Sequence, residues 1–288
     1  MDYLEEFIDF CQFQRSLSKN TIRSYEWDLK QFFKHLKDRN LDITEVKIRD
    51  IDSFLISLRK EGRSPQTVNR KIACLRSFFE WCRRVEIVKG NPVEFIKSLK
   101  QPKTLPKYLT EAQQQALLEA SKNTNHPNKN GPYMKDRDYL LVVFLLDCGL
   151  RIGEACAIRR EDINLEDGTL RVLGKGQKER IVILSDRLIK AVKEHFNNGS
   201  DLLFFNQWRK QLDTRHAFRI VQVIGERAGI ENLHPHLCRH TYATNLRRKG
   251  ADLLLIKEAL GHASVSTTEI YAHLGEQEYK EKLKALIN

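Results

Sequence analysis

Between Leu233 and Leu274 the chain reads LHPHLCRHTYATNLRRKGADLLLIKEALGHASVSTTEIYAHL, a stretch dense in reactive side chains. His236 and Arg239 lie three residues apart, His262 follows a Leu-Gly pair, and Tyr271 comes nine residues later. An imidazole moves protons near neutral pH, a guanidinium grips oxyanions, and a phenol is a nucleophile once its proton is removed. Three short helices must hold these groups. Pro235 sits where the first would begin and Gly250 where it would end. Cys238, Tyr242 and Leu246 recur every four residues as a narrow apolar stripe. His236, Arg239, His240 and Ala243 fall on a neighbouring face, so imidazole and guanidinium point the same way. A second helix, Leu253 to Leu260, ends at Gly261 and delivers His262 into a loop. Ser266 and Glu269 then form a capping box that starts a third helix and places Tyr271 on it.

The order H-x-x-R, L-G-H-x-S, then Tyr resembles the tyrosine recombinase (lambda-integrase) family, most closely its Xer-type members. The rest of the chain supplies the remaining parts of that pattern. Suppose a tyrosine attacks a phosphodiester. The five-coordinate phosphorus gathers negative charge on its non-bridging oxygens, and planar guanidinium forks answer that charge best. A phenol with a free pKa of about 10 needs a base or a strongly cationic site. The departing oxygen needs a proton donor. The resemblance carries these roles onto six positions, with no substitution. Arg151 and Arg239 match the phosphate-gripping arginines, and Lys175, in G-K-G, the lysine that protonates the leaving oxygen. His236 matches the base or proton shuttle, His262 a hydrogen-bond donor to the phosphate, and Tyr271 the nucleophile. Glu154 matches an acidic residue that buttresses the site. No metal, ATP or other cofactor is implied.

Each residue also has an ordinary reading. Arg151 after Gly-Leu could be a helix cap paired locally with Glu154. A hairpin lysine is usually solvated, and Lys178 lies beside Lys175. His234, His240 and His273 are extra histidines near the motif; one could support the site, though solvent-facing or core positions are their ordinary reading. G-K-G lacks the spacing of a nucleotide-binding loop, and no carboxylates or thiols stand at metal-ligand spacing. Asp147-Cys148 and Cys238 are looser fits to the family pattern. Six positions in register outweigh these separate readings.

Composition agrees. The 288 residues suit two domains, with 41% hydrophobic and 30% charged residues. No run approaches the roughly 18 apolar residues of a membrane span. The acidic helical start, MDYLEEFIDF, is not a signal peptide. Six cysteines without C-x-x-C read as reduced core residues of a cytosolic protein. The net charge of +11 is shared, residues 1–100 holding 20 basic and 15 acidic groups. Both parts can therefore face a polyanion.

The expected fold is mainly α in two domains: an all-helical N-terminal domain (1–98), a basic linker (99–107) and a mixed α+β catalytic domain (108–288). Residues 2–15 read as the first helix. Ser18 caps the second, Asp50 the third and Ser64-Pro65 the fourth, while Asn91-Pro92 starts a short fifth. The fourth buries Val68, Ile72, Leu75, Phe79 and Cys82. Its opposite face carries Gln66, Arg70, Ala73, Ser77 and Arg84. That mix of long polar and small residues fits a major groove or an ordinary solvated face, and the resemblance favours the groove. Lys19, Asn20 and Arg23 open the second helix as candidates for backbone phosphates. Beyond the linker, Thr110 caps a helix and Asp138–Cys148 is apolar enough to be a central core element. Strands Thr169–Leu173 and Arg180–Leu184 form a hairpin around Lys175. Helices follow at Ser185–Phe196 and about Arg215–Ala228, with Phe204–Phe205 in a buried turn.

The tail helix, with Tyr279, Leu283 and Leu286 at helical spacing, has two placements open: on its own domain, or on a neighbouring protomer. The resemblance favours the second. It further implies double-stranded DNA at a palindrome-like site and a tetramer, of this chain alone or with a partner recombinase. A 3′-phosphotyrosyl link, a Holliday junction and a cytoplasmic, nucleoid-associated setting complete what it implies. The helical start, with no arm-binding module ahead of it, favours a compact Xer-like enzyme such as one resolving chromosome dimers. A mobile-element integrase or resolvase, a type IB topoisomerase-like strand transferase and a non-catalytic DNA-binding relative are the alternatives.

Overall fold

The computed structural model describes residues 3–100, 107–124, 131–174, 179–195, 201–261 and 276–287. The chain divides into two compact units, Met1–Thr104 and Leu105–Asn288.

The first unit is helical. α1 (Tyr3–Asp9) runs into a π-helical turn, Phe10–Gln14, so the first helix changes pitch rather than continuing to residue 15. α2 (Lys19–Lys37) starts at Ser18, whose hydroxyl accepts the Thr21 N–H at 3.2 Å. α3 (Ile48–Lys60) begins two residues before the expected cap. Asp50 lies inside its first turn and accepts the Lys47 N–H at 3.0 Å. α4 (Pro65–Arg84) has Ser64 as its cap and Pro65 at its first position. It supplies Val68, Ile72, Leu75, Phe78, Phe79 and Cys82 to a core shared with Phe7, Phe32 and Phe54. Phe7 meets Phe78 edge-on with ring centroids 5.3 Å apart, and Phe32 meets Phe54 at 5.2 Å. No helix forms at Asn91-Pro92. Asn91 instead closes a turn, accepting the Val93 N–H at 2.9 Å and donating to the Arg76 carbonyl at 3.1 Å.

One charge lies inside this core. Asp28 on α2 is buried and accepts from the equally buried Lys71 at 2.7 Å and from Arg70. Gln31 accepts a second Lys71 hydrogen bond at 2.8 Å. A buried carboxylate is tolerated only with such complete pairing.

The second unit is built on α6 (Gly131–Asp147). Every residue from Leu140 to Leu146 is buried, as its all-round apolarity requires. Around it lie α5 (Glu111–Lys122), α8 (Asp186–His195), α9 (Thr214–Arg227) and α10 (Pro235–Arg248). Thr110 caps α5 in a reciprocal box with Gln113. A three-stranded antiparallel sheet stands to one side: β1 (Ile163–Asn164), β2 (Thr169–Leu173) and β3 (Glu179–Ile183). Thr169 pairs with Ile183 and Leu173 with Glu179, which fixes the hairpin register. The two-residue β1 is an addition to the expected hairpin, too short to leave an alternating pattern.

α7 (Ile152–Ala157) and α11 (Leu253–Leu260) are short; Glu154 of α7 is bonded by Arg180 of β3, and α11 clusters with Ile183 of the same strand. α12 (Glu276–Ile287) packs on its own chain, one of the two placements open to it. Leu283 is 0% exposed, in a cluster with Ile183, Tyr242, Leu246 and Leu255 of its own chain. Burying a leucine contributes roughly 1.5–3 kcal/mol, enough to seat a short amphipathic helix locally.

All six cysteines are free and buried. Burial pushes the thiols up, to about 11 for Cys11 and about 12 for Cys82, Cys156 and Cys238.

Candidate active site

α10 is set by its first turn. Pro235 is preorganised for the helix, and His234, the residue before it, accepts the Leu237 N–H on its ring Nδ1 at 3.1 Å. Cys238, Tyr242 and Leu246 face the core, as their spacing requires. The next face carries Arg239, which is only 7% exposed, while His236 and His240 stay at the surface.

Arg239 ends on two backbone carbonyls. Its Nη1 donates to Gly149 at 2.6 Å and its Nη2 to Leu260. The guanidinium thus ties the end of α6 to the end of α11. Gly149 has φ +58°, and a Cβ there would lie 2.4 Å from Cδ1 of Tyr242. Only glycine brings that carbonyl under the arginine. Burial, then the nearby Arg151 charge, lowers Arg239 to about 10, so it remains a cation at neutral pH.

Glu154 organises the other half. It caps α7, accepting the Arg151 backbone N–H at 2.9 Å, and receives the Arg151 Nη1 at 2.7 Å. Arg180 of β3 reaches the same carboxylate with two donors, at 3.0 and 2.8 Å. Burial alone would raise the Glu154 carboxyl, but the Arg180 hydrogen bonds and charge, joined by those of Arg151, hold it at about 2. Arg151 Nη2 donates to the Gly261 carbonyl at 3.2 Å. Gly261 is left-handed, with φ +63°, and closes α11 one residue before His262.

Arg151 and Arg180 therefore share the Glu154 carboxylate, while Arg151 and Arg239 between them reach the carbonyls of Gly149, Leu260 and Gly261. The local balance is cationic, suited to an oxyanion. Among the described residues no cluster of three or more His, Cys, Asp or Glu is placed to hold a metal ion.

Of the residues singled out in the sequence, Arg151, Glu154 and Arg239 are brought together, with His236 one turn from Arg239 on α10. Lys175, His262 and Tyr271 lie outside the described residues, as do Lys178, His273 and the Ser266–Glu269 capping box. Asp147 and Cys148, loose fits to the family pattern, join α6 to the sheet side. Asp147 accepts the Ser185 hydroxyl at 2.6 Å, and Cys148 Sγ donates to the Ile183 carbonyl at 3.8 Å.

Arg180 went unread in the sequence, and His234 was named without its capping role. Arg180 is one residue in E-R-I-V-I, with nothing local to name its partner 26 positions back. His234 caps a helix, a role that Ser, Thr, Asp or Asn would have signalled.

In the first unit, the outward face of α4 keeps Gln66, Arg70, Ala73 and Arg84 exposed and Ser77 half-buried. Arg70 is braced by Asp28, Ser77 accepts from Arg15 at 2.8 Å, and Arg84 lies 5.5 Å from the centre of the Phe10 ring. Lys19, Asn20 and Arg23 are exposed at the start of α2.

Residues 107–278 match the Phage integrase family, and residues 4–86 its N-terminal SAM-like domain. The tyrosine recombinase XerD of Oceanobacillus iheyensis is 33% identical, with 96% of this chain and 95% of that protein covered.

This chain belongs to the phage integrase family.

Among tyrosine recombinases of this family, XerC of Thermodesulfovibrio yellowstonii is 34% identical, covering 94% of this chain and 91% of that one. The crystal structure of XerH bound to palindromic difH substrate, a post-cleavage complex, superposes with TM-score 0.73 at 25% identity. It covers 97% of this chain and 82% of that one. A lambda integrase dimer on a COC′ core site shares the fold, with TM-score 0.74 at 18% identity over 91% of this chain and 94% of that one. The protein is a tyrosine site-specific recombinase, most similar to the Xer enzymes.

Proposed function

We propose that this recombinase cuts and rejoins double-stranded DNA at a palindrome-like site. The observation that carries the proposal is the pinning of Arg151 and Arg239 by Glu154, Gly149, Leu260 and Gly261. Two planar cations held before substrate arrives stabilise the phosphorane without reorganising in the transition state.

In the proposed step Tyr271 Oη attacks the scissile phosphorus, giving up its proton to His236 or to water. A bond from phosphorus to Tyr271 forms as the bond to the 5′ oxygen breaks. Lys175 returns a proton to that oxygen, and His262 donates a hydrogen bond to the phosphate. One phosphoester replaces another, so attack by a 5′ hydroxyl reseals the strand without ATP. Neither step calls on a metal ion. Type IB topoisomerase chemistry is the same, but the XerD and XerC similarity over more than nine-tenths of this chain favours recombination.

Residues 1–98 act as the core-binding domain in this proposal, laying α4 in a major groove with Gln66, Arg70, Ser77 and Arg84 outward. Lys19, Asn20 and Arg23 meet the phosphate backbone. Residues 99–107 link the domains, and 108–288 form the catalytic domain. Four protomers act on two sites through a Holliday junction, beside the chromosome in the cytoplasm. Resolution of chromosome dimers is the role that the Xer similarity supports.

The test is a nicked duplex carrying a Xer-type site, from which the cleaved fragment diffuses away. Wild-type protein should give a covalent adduct on a denaturing gel, with EDTA present, and Tyr271→Phe none. An adduct formed equally by the phenylalanine variant would remove Tyr271 from the chemistry.

A further inference from the structure

Arg180 has no place in the motif order or in the proposed step, yet it is one of the most constrained charges in the molecule. Its side chain is 11% exposed. Nη1 and Nη2 fork onto Oε1 and Oε2 of Glu154 at 3.0 and 2.8 Å. Its stem covers Gly261, where a Cβ would meet the Arg180 Cδ at 2.8 Å. One side chain of the Lys175 hairpin thus reaches both the partner of Arg151 and the residue before His262.

Glu154 is shared. An isolated Arg–carboxylate pair tends to close as a two-pronged fork. With Arg180 already across both oxygens, Glu154 holds the Arg151 side chain by Nη1 alone, at 2.7 Å. Nη2 of Arg151 turns instead to the neutral carbonyl of Gly261, at 3.2 Å. A phosphate oxygen displaces a long contact to a neutral carbonyl far more readily than a carboxylate fork.

The geometry points to Arg180 as a positioning residue: it occupies Glu154 so that Arg151 stays available to the substrate phosphate. Arg180 acts through Glu154, onto whose two oxygens its Nη groups fork, rather than as a third phosphate grip. Removing it leaves Glu154 free to close on Arg151 and neutralise it. The inference rests on the phosphate-gripping role proposed for Arg151.

Two alternatives make different predictions. If Arg180 only adds positive field, Arg180→Lys preserves its effect. If it is only a strut between β3 and α11, removing the Glu154 charge cannot repair its loss.

The experiment measures single-turnover cleavage of the nicked Xer-type duplex by wild type, Arg180→Ala, Arg180→Lys, Glu154→Gln and both double variants. Arg180→Ala should cleave roughly 10- to 100-fold more slowly, the scale of a displaced oxyanion group, and Arg180→Lys should fall with it. Adding Glu154→Gln to either should recover much of the rate, since a neutral amide does not clamp Arg151. A second readout needs no cleavage. In a Tyr271→Phe background, affinity is compared for DNA with a phosphate and with a neutral methylphosphonate at the scissile position. Preference for the phosphate should drop in Arg180→Lys and return with Glu154→Gln. Wild-type cleavage by Arg180→Ala, full function in Arg180→Lys, or no recovery in the double variants overturns the inference. Phosphate preference that survives Arg151→Ala overturns the role of Arg151 and the inference with it. Loss of the adduct question alone, with Tyr271→Phe still cleaving, would strike the nucleophile and leave the affinity test of Arg180 intact.

Discussion

Arg239 donates to the carbonyl oxygen of Gly149 at 2.6 Å, across 90 residues of chain. The contact exists because residue 149 has no Cβ to strike Tyr242 and can adopt φ +58°. Gly149→Ala should therefore lose on the order of 2–4 kcal/mol, adding a left-handed penalty to overpacking. Cleavage should fall further than stability alone accounts for, because the Arg239 anchor moves. Urea unfolding and adduct formation measure the two effects. A variant within about 0.5 kcal/mol of wild type, the range of an inconsequential substitution, would contradict the geometry.

Glu154 gives a pH dependence with a fixed sign. Its folded-state carboxyl sits at about 2, below the ordinary 4.5, so its contribution is fully present above about pH 4.5 and is lost as pH falls towards 2. The contribution is on the order of 3 kcal/mol at neutral pH. Wild type should exceed Glu154→Gln in denaturation midpoint at pH 7, and the gap should close on acidification. A gap unchanged between pH 7 and pH 3 would refute the assignment.

Asp28→Asn leaves the Lys71 ammonium buried without its counter-charge. A loss of about 3–5 kcal/mol is expected, while the pair Asp28→Leu with Lys71→Met should recover most of it. Thermal unfolding of wild type and the two variants decides this. Equal loss in the single and paired variants would mean that packing, not charge, dominates there.

Leu283→Ala should cost about 2–5 kcal/mol if α12 is seated on its own chain. The loss should not depend on protein concentration. A melting temperature that falls on dilution for wild type would indicate that the helix is held by another molecule.

The described framework of the candidate site was legible in the sequence wherever residue type and chain order coincide. Arg151 at a turn, H-x-x-R on a capped helix and Gly261 at a helix end all sit where their patterns put them. Pairings across the fold were not legible. Nothing near Arg180 points to Glu154, because strand periodicity reports a face and not the charge it will meet. At Asn91-Pro92 the sequence signal for a helix start is also the signal for a turn; the Val93 N–H bond to the Asn91 side chain closes the turn, and the bond from Asn91 to Arg76 anchors it. At Asp50 an acidic residue serves equally as a cap or in the first turn, and its own bond to the Lys47 N–H selects the latter. The tail's apolar stripe gave its spacing but not its seat, since Leu283 would fill a groove on either of two molecules equally well.

The six buried thiols have one more consequence. Burial holds Cys148 well above an ordinary thiol, and Cys82, Cys156 and Cys238 at about 12, so almost no thiolate exists at neutral pH. To a maleimide or iodoacetamide dye the folded protein is nearly blank. A single cysteine introduced on an exposed loop would take a fluorophore almost alone, and the motions of each unit on its substrate could be followed without first stripping the native sulfurs.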